Sequence, residues 1–151
     1  MAANPPIRTI TRLANVQEVQ TARNAFEQNV GSTVYNRDFS AIGEAFKVQS
    51  LIGKKNYVYV KCEIDRVVTG LGYGWPEAGE TTFYIQDICS AAGSRSGSAI
   101  VSWFANPQNY EKPNVRKLAL SAAREDLKKT YAKDWYGFHT VGEGSRMERD
   151  L

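Results

Sequence analysis

The stretch YVYVKCEI at positions 57–64 decides the fold class, because its side chains alternate between two kinds of environment. Every second position is apolar, namely Val58, Val60, Cys62 and Ile64. This period of two indicates a half-buried β-strand. The runs 81–89 and 98–104 are rich in the β-branched and aromatic residues that strands favour. The sequence therefore predicts three consecutive antiparallel strands over residues 57–104.

Two glycine-rich stretches separate these predicted strands. Gly70-Leu-Gly-Tyr-Gly74 is interpreted as a turn, and Gly93–Gly97 as a hairpin loop. A phosphate-binding loop needs a helix directly after its glycines, and Trp75-Pro76 follows the first stretch instead. The first glycine stretch therefore does not predict a dinucleotide or nucleotide-phosphate site.

Helical spacing precedes the predicted sheet. The apolar residues from Leu13 to Phe26 recur at intervals of three and four, which predicts an amphipathic helix ending before Gly31. A very short strand is predicted at 34–35. Asp38 is a good N-cap for a second helix, for which Gly53 is a plausible stop.

The longest predicted helix follows the sheet and spans residues 115–133. Leu, Ala, Arg, Glu and Lys dominate it, and all are strong helix formers. The fold class predicted is α+β, with N-terminal helices, a three-stranded antiparallel β-β-β sheet and a long C-terminal helix packed on it. The length of 151 residues fits one domain. We expect an extended arm over 1–12, the domain over 13–141 with an edge strand near its end, and a polar tail over 142–151.

The composition is that of an ordinary globular protein, with 42% hydrophobic and 23% charged residues. The formal net charge of +3 permits an anionic partner such as nucleic acid. The sequence shows neither a signal-peptide pattern nor a run of about 20 apolar residues, so we expect a soluble, intracellular protein. Cys62 and Cys89 lie in apolar runs without metal-ligand spacing, which predicts buried thiols rather than a disulfide or a zinc site.

Catalytic groups are hard to find in the sequence. His139 is the single histidine, which argues against a catalytic triad or a multi-histidine metal site. Glu63, Asp65 and Asp87 lie on or beside predicted strands and can approach one another, although paired carboxylates are common at solvated sheet edges. We therefore expect a binding protein that is not an enzyme and uses no cofactor.

Two basic surfaces suggest the partner. Aromatic rings beside basic groups suit single-stranded nucleic acid, because bases stack on rings while cations neutralise phosphates. The alternative is that the tyrosines pack under a helix and that the helix charges serve solubility. The candidate residues are Lys54, Lys55, Tyr57, Tyr59, Lys61 and Arg95 on the sheet side, and Lys117, Arg124 and Lys128 on one face of the long helix.

The element order and the run Lys117-Leu-Ala-Leu-Ser-Ala-Ala-Arg-Glu-Asp-Leu-Lys-Lys129 resemble the Rad52-like single-strand annealing fold over about residues 13–137. The resemblance implies binding of single-stranded DNA by an oligomeric ring. The same helix pattern also occurs in double-stranded-RNA-binding domains.

A second resemblance competes with the first. Ala99-Ile-Val-Ser-Trp103, Pro107 and the predicted helix are similar to the actin-depolymerising-factor homology domain. That family has a helix where residues 66–80 hold glycines and Trp75-Pro76. The resemblance implies actin binding through Arg116, Lys117, Arg124 and Lys128. A capsid-like structural subunit is a third interpretation, and nucleic-acid binding is the function that we predict.

Overall fold

The computed structural model of the protein describes residues 7–29, 43–79, 81–110, 114–121, 137–141 and 146–151. Its strands are β1 (Arg8–Arg12), β2 (Val58–Ile64), β3 (Val67–Pro76), β4 (Thr82–Ser90), β5 (Lys117–Ser121), β6 (His139–Thr140) and β7 (Arg146–Asp150). Its α-helices are α1 (Val16–Asn29) and α2 (Ser96–Phe104). The strands form one sheet in the order β1-β2-β3-β4-β5-β7-β6.

The sheet is mixed. Strands β1 to β4 form an antiparallel meander, in which each strand pairs with the next one along the chain. The chain then crosses over through α2, and β5 pairs with β4 in parallel. Strand β7 lies antiparallel between β5 and β6. The predicted fold class is therefore wrong, since a three-stranded antiparallel sheet accounts for only part of this architecture.

Each face of the sheet carries its own apolar core. The face covered by α2, here the α2 face, buries Val58, Val60, Phe83, Ile85, Ile100, Phe104, Leu118 and Met147, among others. The face covered by α1, here the α1 face, buries Val19, Phe26, Phe46, Leu51, Tyr59, Leu71, Tyr73 and Cys89, among others. Both cysteines are free and buried, as the sequence predicts.

The glycines of β3 are inside a strand and do not form the predicted turn. They leave room for α2, which lies directly on them. A Cβ atom on Gly70 would lie 2.7 Å from the Ser96 Cβ atom, and one on Gly72 would lie 2.6 Å from an Ile100 methyl carbon. Close approach of a helix to a sheet thus explains why glycines occupy these strand positions.

The hairpin loop and third strand predicted over 93–104 are also wrong, because this segment contains α2. Its buried residues Ser96, Ile100, Val101 and Phe104 recur at helical spacing. The β-branched and aromatic side chains that favoured a strand are needed to fill the α2 face. Burial against the sheet outweighs their modest local preference.

The helix predicted over 115–133 is wrong at its beginning. Lys117–Ser121 forms β5, whose inner position in the sheet buries Leu118, Ala119 and Leu120. Residues 122–136 lie outside the described residues. The helix predicted after Asp38 is represented by two 3-10 turns, Gly43–Phe46 and Val48–Leu51, and the strand predicted at 34–35 is also outside the described residues.

Several local predictions are confirmed. Helix α1, β2 and β4 lie where the spacing of apolar residues places them, and β6 is an edge strand within 135–141. The boundaries of the single domain at 13 and 141 stay a prediction. Strand β1 lies in the predicted arm and β7 in the predicted tail, so both segments supply strands to the sheet.

Candidate active site

Strand β4 is paired along one edge and only half paired along the other. It pairs with β3 from Phe83 to Ser90, but with β5 only from Thr82 to Ile85. The segment Gln86–Ser90 therefore has no β5 partner in the described part of the chain. Gln86–Ser90 is also the carboxyl end of β4, and ligands of open α/β sheets commonly bind in a crevice at the carboxyl ends of strands.

A β-bulge lies in β4 directly after the residues that pair with β5. Tyr73 is opposite Asp87 and Gly74 is opposite Ile85, which leaves Gln86 as the extra residue of β4. A Cβ atom on Gly74 would lie 2.0 Å from the Tyr84 carbonyl oxygen, so the bulge requires glycine there. Bulges of this kind change which face the following side chains occupy.

The bulge places Asp87 on the α1 face, beside aromatic side chains. Burial raises the pKa of Tyr73 and of the Cys89 thiol, and the charge of Asp87 raises both further. The Asp87 carboxylate is itself half-buried and accepts a hydrogen bond of 2.9 Å from the Ile88 amide. A carboxylate thus lies just beyond the described β4–β5 pairing, and the raised pKa of the Cys89 thiol beside it favours the protonated form.

Two buried tyrosines hold the segment that precedes β2 against this face. Their rings stack with centroids 5.3 Å apart. The Tyr59 hydroxyl donates a 3.0 Å hydrogen bond to the Phe46 carbonyl oxygen, and the Tyr73 hydroxyl donates one to the Ala45 carbonyl oxygen. The first 3-10 turn is therefore fixed over the sheet by its main chain.

The start of α2 lies at the carboxyl end of β4. Arg95 adopts a left-handed conformation with φ of 56° and provides no side-chain cap for the helix. The Thr69 and Ser96 hydroxyls are 2.8 Å apart, which ties the first turn of α2 to β3. The Arg8 guanidinium donates a 2.7 Å hydrogen bond to the Ser94 carbonyl oxygen and holds the preceding loop.

A polar network ties β7 to the paired half of β4. Arg146 donates two hydrogen bonds to Glu77, at 2.9 Å and 2.6 Å, and a third of 2.9 Å to Glu148. Its guanidinium also lies 5.6 Å from the centroid of the Tyr84 ring. The Tyr84 hydroxyl is hydrogen-bonded to the Ser121 hydroxyl at the last residue of β5. These contacts hold β7 and Ser121 of β5 against the paired half of β4.

The basic residues that the sequence singled out lie on separate elements. Lys54 follows the second 3-10 turn, and its ammonium lies 4.8 Å from the centroid of the Trp75 ring, while Lys55 is exposed. Lys61 pairs with Glu63 at 3.2 Å, in a groove of about 640 Å³ between α1 and the first strands. Lys117 pairs with Glu148 at 3.2 Å, and Arg95 is exposed at the start of α2. Arg124 and Lys128 lie outside the described residues.

Two of the candidate residues are tyrosines expected to stack on bases. Tyr59 is fully buried and therefore follows the alternative that the sequence left open, in which a tyrosine packs under a helix. Tyr57, directly before β2, is half-buried and packs against the α1-face core, and its role stays a prediction.

No group of three or more His, Cys, Asp and Glu side chains among the described residues is placed to hold a metal ion. None of the helices within the described ranges combines the length and the apolar character needed to cross a bilayer.

Several solved structures share this fold with the chain at low sequence identity. The aminoglycoside 6'-acetyltransferase type Ii aligns with a TM-score of 0.64 at 13% identity, over 94% of this chain and 96% of that chain. The PaiA N-acetyltransferase of Thermoplasma acidophilum, in complex with coenzyme A, gives 0.60 at 14% identity, over 95% and 99%. A point mutant of the SpeG spermidine N-acetyltransferase of Vibrio cholerae gives 0.57 at 16% identity, over 95% and 93%. No protein-family model and no curated protein sequence matches the chain.

The chain therefore has the fold of the GNAT acetyltransferases. The resemblances to the Rad52-like fold and to the actin-depolymerising-factor domain are wrong, because neither architecture is this seven-stranded sheet. Single-stranded nucleic acid was predicted from the basic and aromatic residues as well as from the first resemblance, and the oligomeric ring and actin from the two resemblances; the neighbours of this fold contradict these predictions. The expectation of a chain without catalytic function, and the capsid-like interpretation with it, is contradicted because the solved structures that share the fold are acetyltransferases by name.

Sequence reasoning missed Asp87 and the start of α2 as site elements. The available signal was a strand, Thr82–Ser90, followed by a glycine-containing loop and a helix, which is a common anion-binding arrangement. It was missed because the residues after Gly97 were interpreted as a strand. The role of the bulge had no sequence signal, since it depends on the pairing of β4 with β3.

Proposed function

We propose that this protein transfers an acyl group from an acyl-coenzyme A thioester to an amine. The observation that carries the proposal is the pairing of β4, whose segment Gln86–Ser90 pairs with β3 and has no β5 partner among the described residues. We assign this edge of β4 as one wall of the crevice that holds the donor. Extended ligands with amide groups can pair with such a strand edge as another strand would. The pantetheine arm of coenzyme A is an extended chain with two amides.

The residues at the carboxyl end of β4 fit the phosphates of such a donor. Arg95 provides no side-chain cap for α2, and the Ser94 hydroxyl oxygen accepts a 3.3 Å hydrogen bond from the Ser96 amide. The other main-chain N–H groups at a helix start favour a negative group. A Cβ atom on Gly93 would meet nothing within 4 Å, and one on Gly97 nothing closer than 3.5 Å. The loop backbone is therefore open to close approach, and the exposed Arg95 guanidinium adds positive charge there.

Asp87 is the residue that we assign as general base. Its carboxylate lies on the α1 face, in the half of β4 that has no β5 partner among the described residues, whereas α2 and its apolar core close the opposite face. An amine must lose its proton before it attacks a thioester carbonyl, and Asp87 accepts that proton. A positioned general base commonly contributes about 10²–10⁴-fold to the rate.

Amines are the acceptors named for two proteins of this fold, the spermidine and the aminoglycoside acetyltransferases. They make spermidine and an aminoglycoside the first acceptors to test. We expect acetyl-coenzyme A and a suitable amine to release free coenzyme thiol in the presence of the protein, followed with a thiol-reactive dye. Because Cys62 and Cys89 are buried, the protein's own thiols contribute little to that signal.

The matched pair of variants is Asp87→Asn and Asp65→Asn. The first removes the proposed base without changing side-chain volume, and we expect kcat to fall by about 10² or more. Asp65 lies in the β2–β3 turn with φ of 50°, a conformation that asparagine adopts well, so its variant should keep full activity. Thiol release that is absent with every amine tried, or equal in both variants, would contradict the proposal.

A further inference from the structure

Lys54 is an amine that the fold itself holds beside the proposed crevice. It follows Gly53, which has φ of 76°, and its amide donates a 3.0 Å hydrogen bond to the Leu51 carbonyl oxygen. This tight turn directs the side chain over β3, where the ammonium lies 4.8 Å from the centroid of the Trp75 ring. The attraction of the ammonium to the ring face keeps a flexible side chain near one place.

The register of the strands gives the position of the Lys54 ammonium relative to the proposed crevice. Trp75 packs with the α1-face core and is directly opposite Tyr84, whose hydroxyl reaches Ser121 at the end of β5. Neighbouring strands lie about 4.8 Å apart, so two strand spacings, roughly 10 Å, separate Trp75 from β5. The Lys54 ammonium already lies over Trp75, and its flexible four-carbon stem can cover part of that distance.

Asp87 lies along the same face. Tyr73, which is opposite Asp87, has its ring centroid 6.1 Å from that of Trp75. The carboxylate that we assign as base and the Lys54 ammonium therefore lie on neighbouring positions of the α1 face. Lys55 is the natural comparison, since it is exposed, adjacent in sequence and makes no ring contact or ion pair with the described residues.

We infer that Lys54 is a self-acylation site of this protein, a conclusion that rests on the proposed acyltransferase function. The lysine Nζ forms a C–N bond to the thioester carbonyl carbon, and the C–S bond breaks. Of the two protons that the ammonium loses, one ends on the released coenzyme thiol and the other passes through Asp87 to water. The product is a neutral amide at Lys54, so the positive charge over Trp75 is lost.

The test is incubation of the purified protein with acetyl-coenzyme A, followed by site-resolved mass spectrometry. Cleavage after glutamate gives a peptide from Ala45 to Glu63 that contains Lys47, Lys54, Lys55 and Lys61, so three lysines serve as internal controls. We expect Lys54 to be acetylated at least about tenfold faster than Lys55, because it is held near the reacting group. The first-order rate should not depend on protein concentration.

Two variants separate this site from chemical background. Lys54→Arg retains the positive charge over Trp75 and removes the nucleophile, so acetylation of the peptide should fall to the level of the three control lysines. Lys55→Arg should leave the rate at Lys54 unchanged. Trp75→Leu should slow acetylation of Lys54, with its folding checked by circular dichroism.

The outcomes distinguish this inference from the proposed function. Coenzyme A binding to the Lys54→Arg variant is measured by calorimetry, because that variant leaves the proposed crevice intact. If this variant binds coenzyme A and the parent protein acetylates Lys54 and Lys55 equally, the self-acylation inference is overturned and the proposed function is not. A rate that rises with protein concentration also overturns it, since acyl transfer then occurs between molecules. Failure to bind coenzyme A overturns both proposals.

Discussion

The two halves of β4 differ in what they contact, although they belong to one continuous strand. Thr82–Ile85 pairs with β5 and, from Phe83 onward, also with β3, whereas Gln86–Ser90 has only β3 as a partner among the described residues. The bulge at Gln86 separates the halves, and Arg146, Tyr84 and Ser121 make the contacts on the paired side. The difference teaches where to look for a ligand, because the proposed donor site uses the half of β4 that lacks this second partner.

The largest effect is expected at Gly74, the residue opposite the bulge. Gly74→Ala places a methyl group against the Tyr84 carbonyl oxygen, which belongs to the main chain and cannot rotate away. We expect the free energy of unfolding to fall by about 3 kcal/mol or more, as for severe overpacking. Urea unfolding measures it. Gly97→Ala is the control, because its Cβ atom meets only ordinary contacts, and a similar loss there would show that the bulge is not the cause.

A smaller effect is expected at Tyr59, which fixes the first 3-10 turn over the α1 face. Tyr59→Phe removes the hydroxyl and leaves the buried Phe46 carbonyl oxygen without its donor. The cost should be about 1–2 kcal/mol in urea unfolding. Tyr84→Phe is the matched control, since its hydroxyl pairs with Ser121 at an exposed position. Equal losses in the two variants would mean that burial of the hydroxyl does not matter.

The smallest effect concerns the network that fastens the paired half of β4. The hydrogen bond from Arg146, together with Lys117, holds the pKa of Glu148 below its usual range. At pH values above the pKa that Glu148 has in the unfolded chain, its carboxylate therefore stabilises the folded protein. This contribution is lost as the pH falls through the lower pKa that Glu148 has in the folded protein. Arg146→Met should cost about 1 kcal/mol or less at neutral pH.

The same variant should show a weaker decline of stability with acid than the parent protein, because one cause of the lowered Glu148 pKa is gone. Urea midpoints measured between about pH 7 and pH 3 test this, since carboxylates titrate in that range. Parallel curves for the two proteins would rule out a contribution of this ion pair to the pH dependence.

Some of the fold could be predicted from the sequence because local and tertiary preferences agree. The spacing of Val19, Ala22 and Phe26 defines α1, and alternation defines β2. Local and tertiary preferences disagree in β3, where the glycines make room for α2. They also disagree in β5, where the helix-forming residues Leu118 and Leu120 are buried in a strand inside the sheet. Segments of this kind are decided by packing against distant residues, which a local pattern does not contain.

The candidate site was harder to predict than the fold. Asp87 stood out only as one of several carboxylates on strands, and its position on the α1 face depends on the bulge beside it. Lys54 was noted for its charge, but its contact with Trp75 depends on the turn at Gly53. Tyr59 was noted as a stacking surface, and burial instead gives it a structural role.

Coenzyme A titration of the ¹⁵N-labelled protein, followed by amide chemical shifts, tests the central claim most directly. We predict saturable shifts that are largest for Gln86–Ser90 and for the first turn of α2, with much smaller shifts in the paired half Thr82–Ile85. Absence of binding, or shifts concentrated in the groove that contains Lys61, would contradict the assignment of the crevice as the donor site.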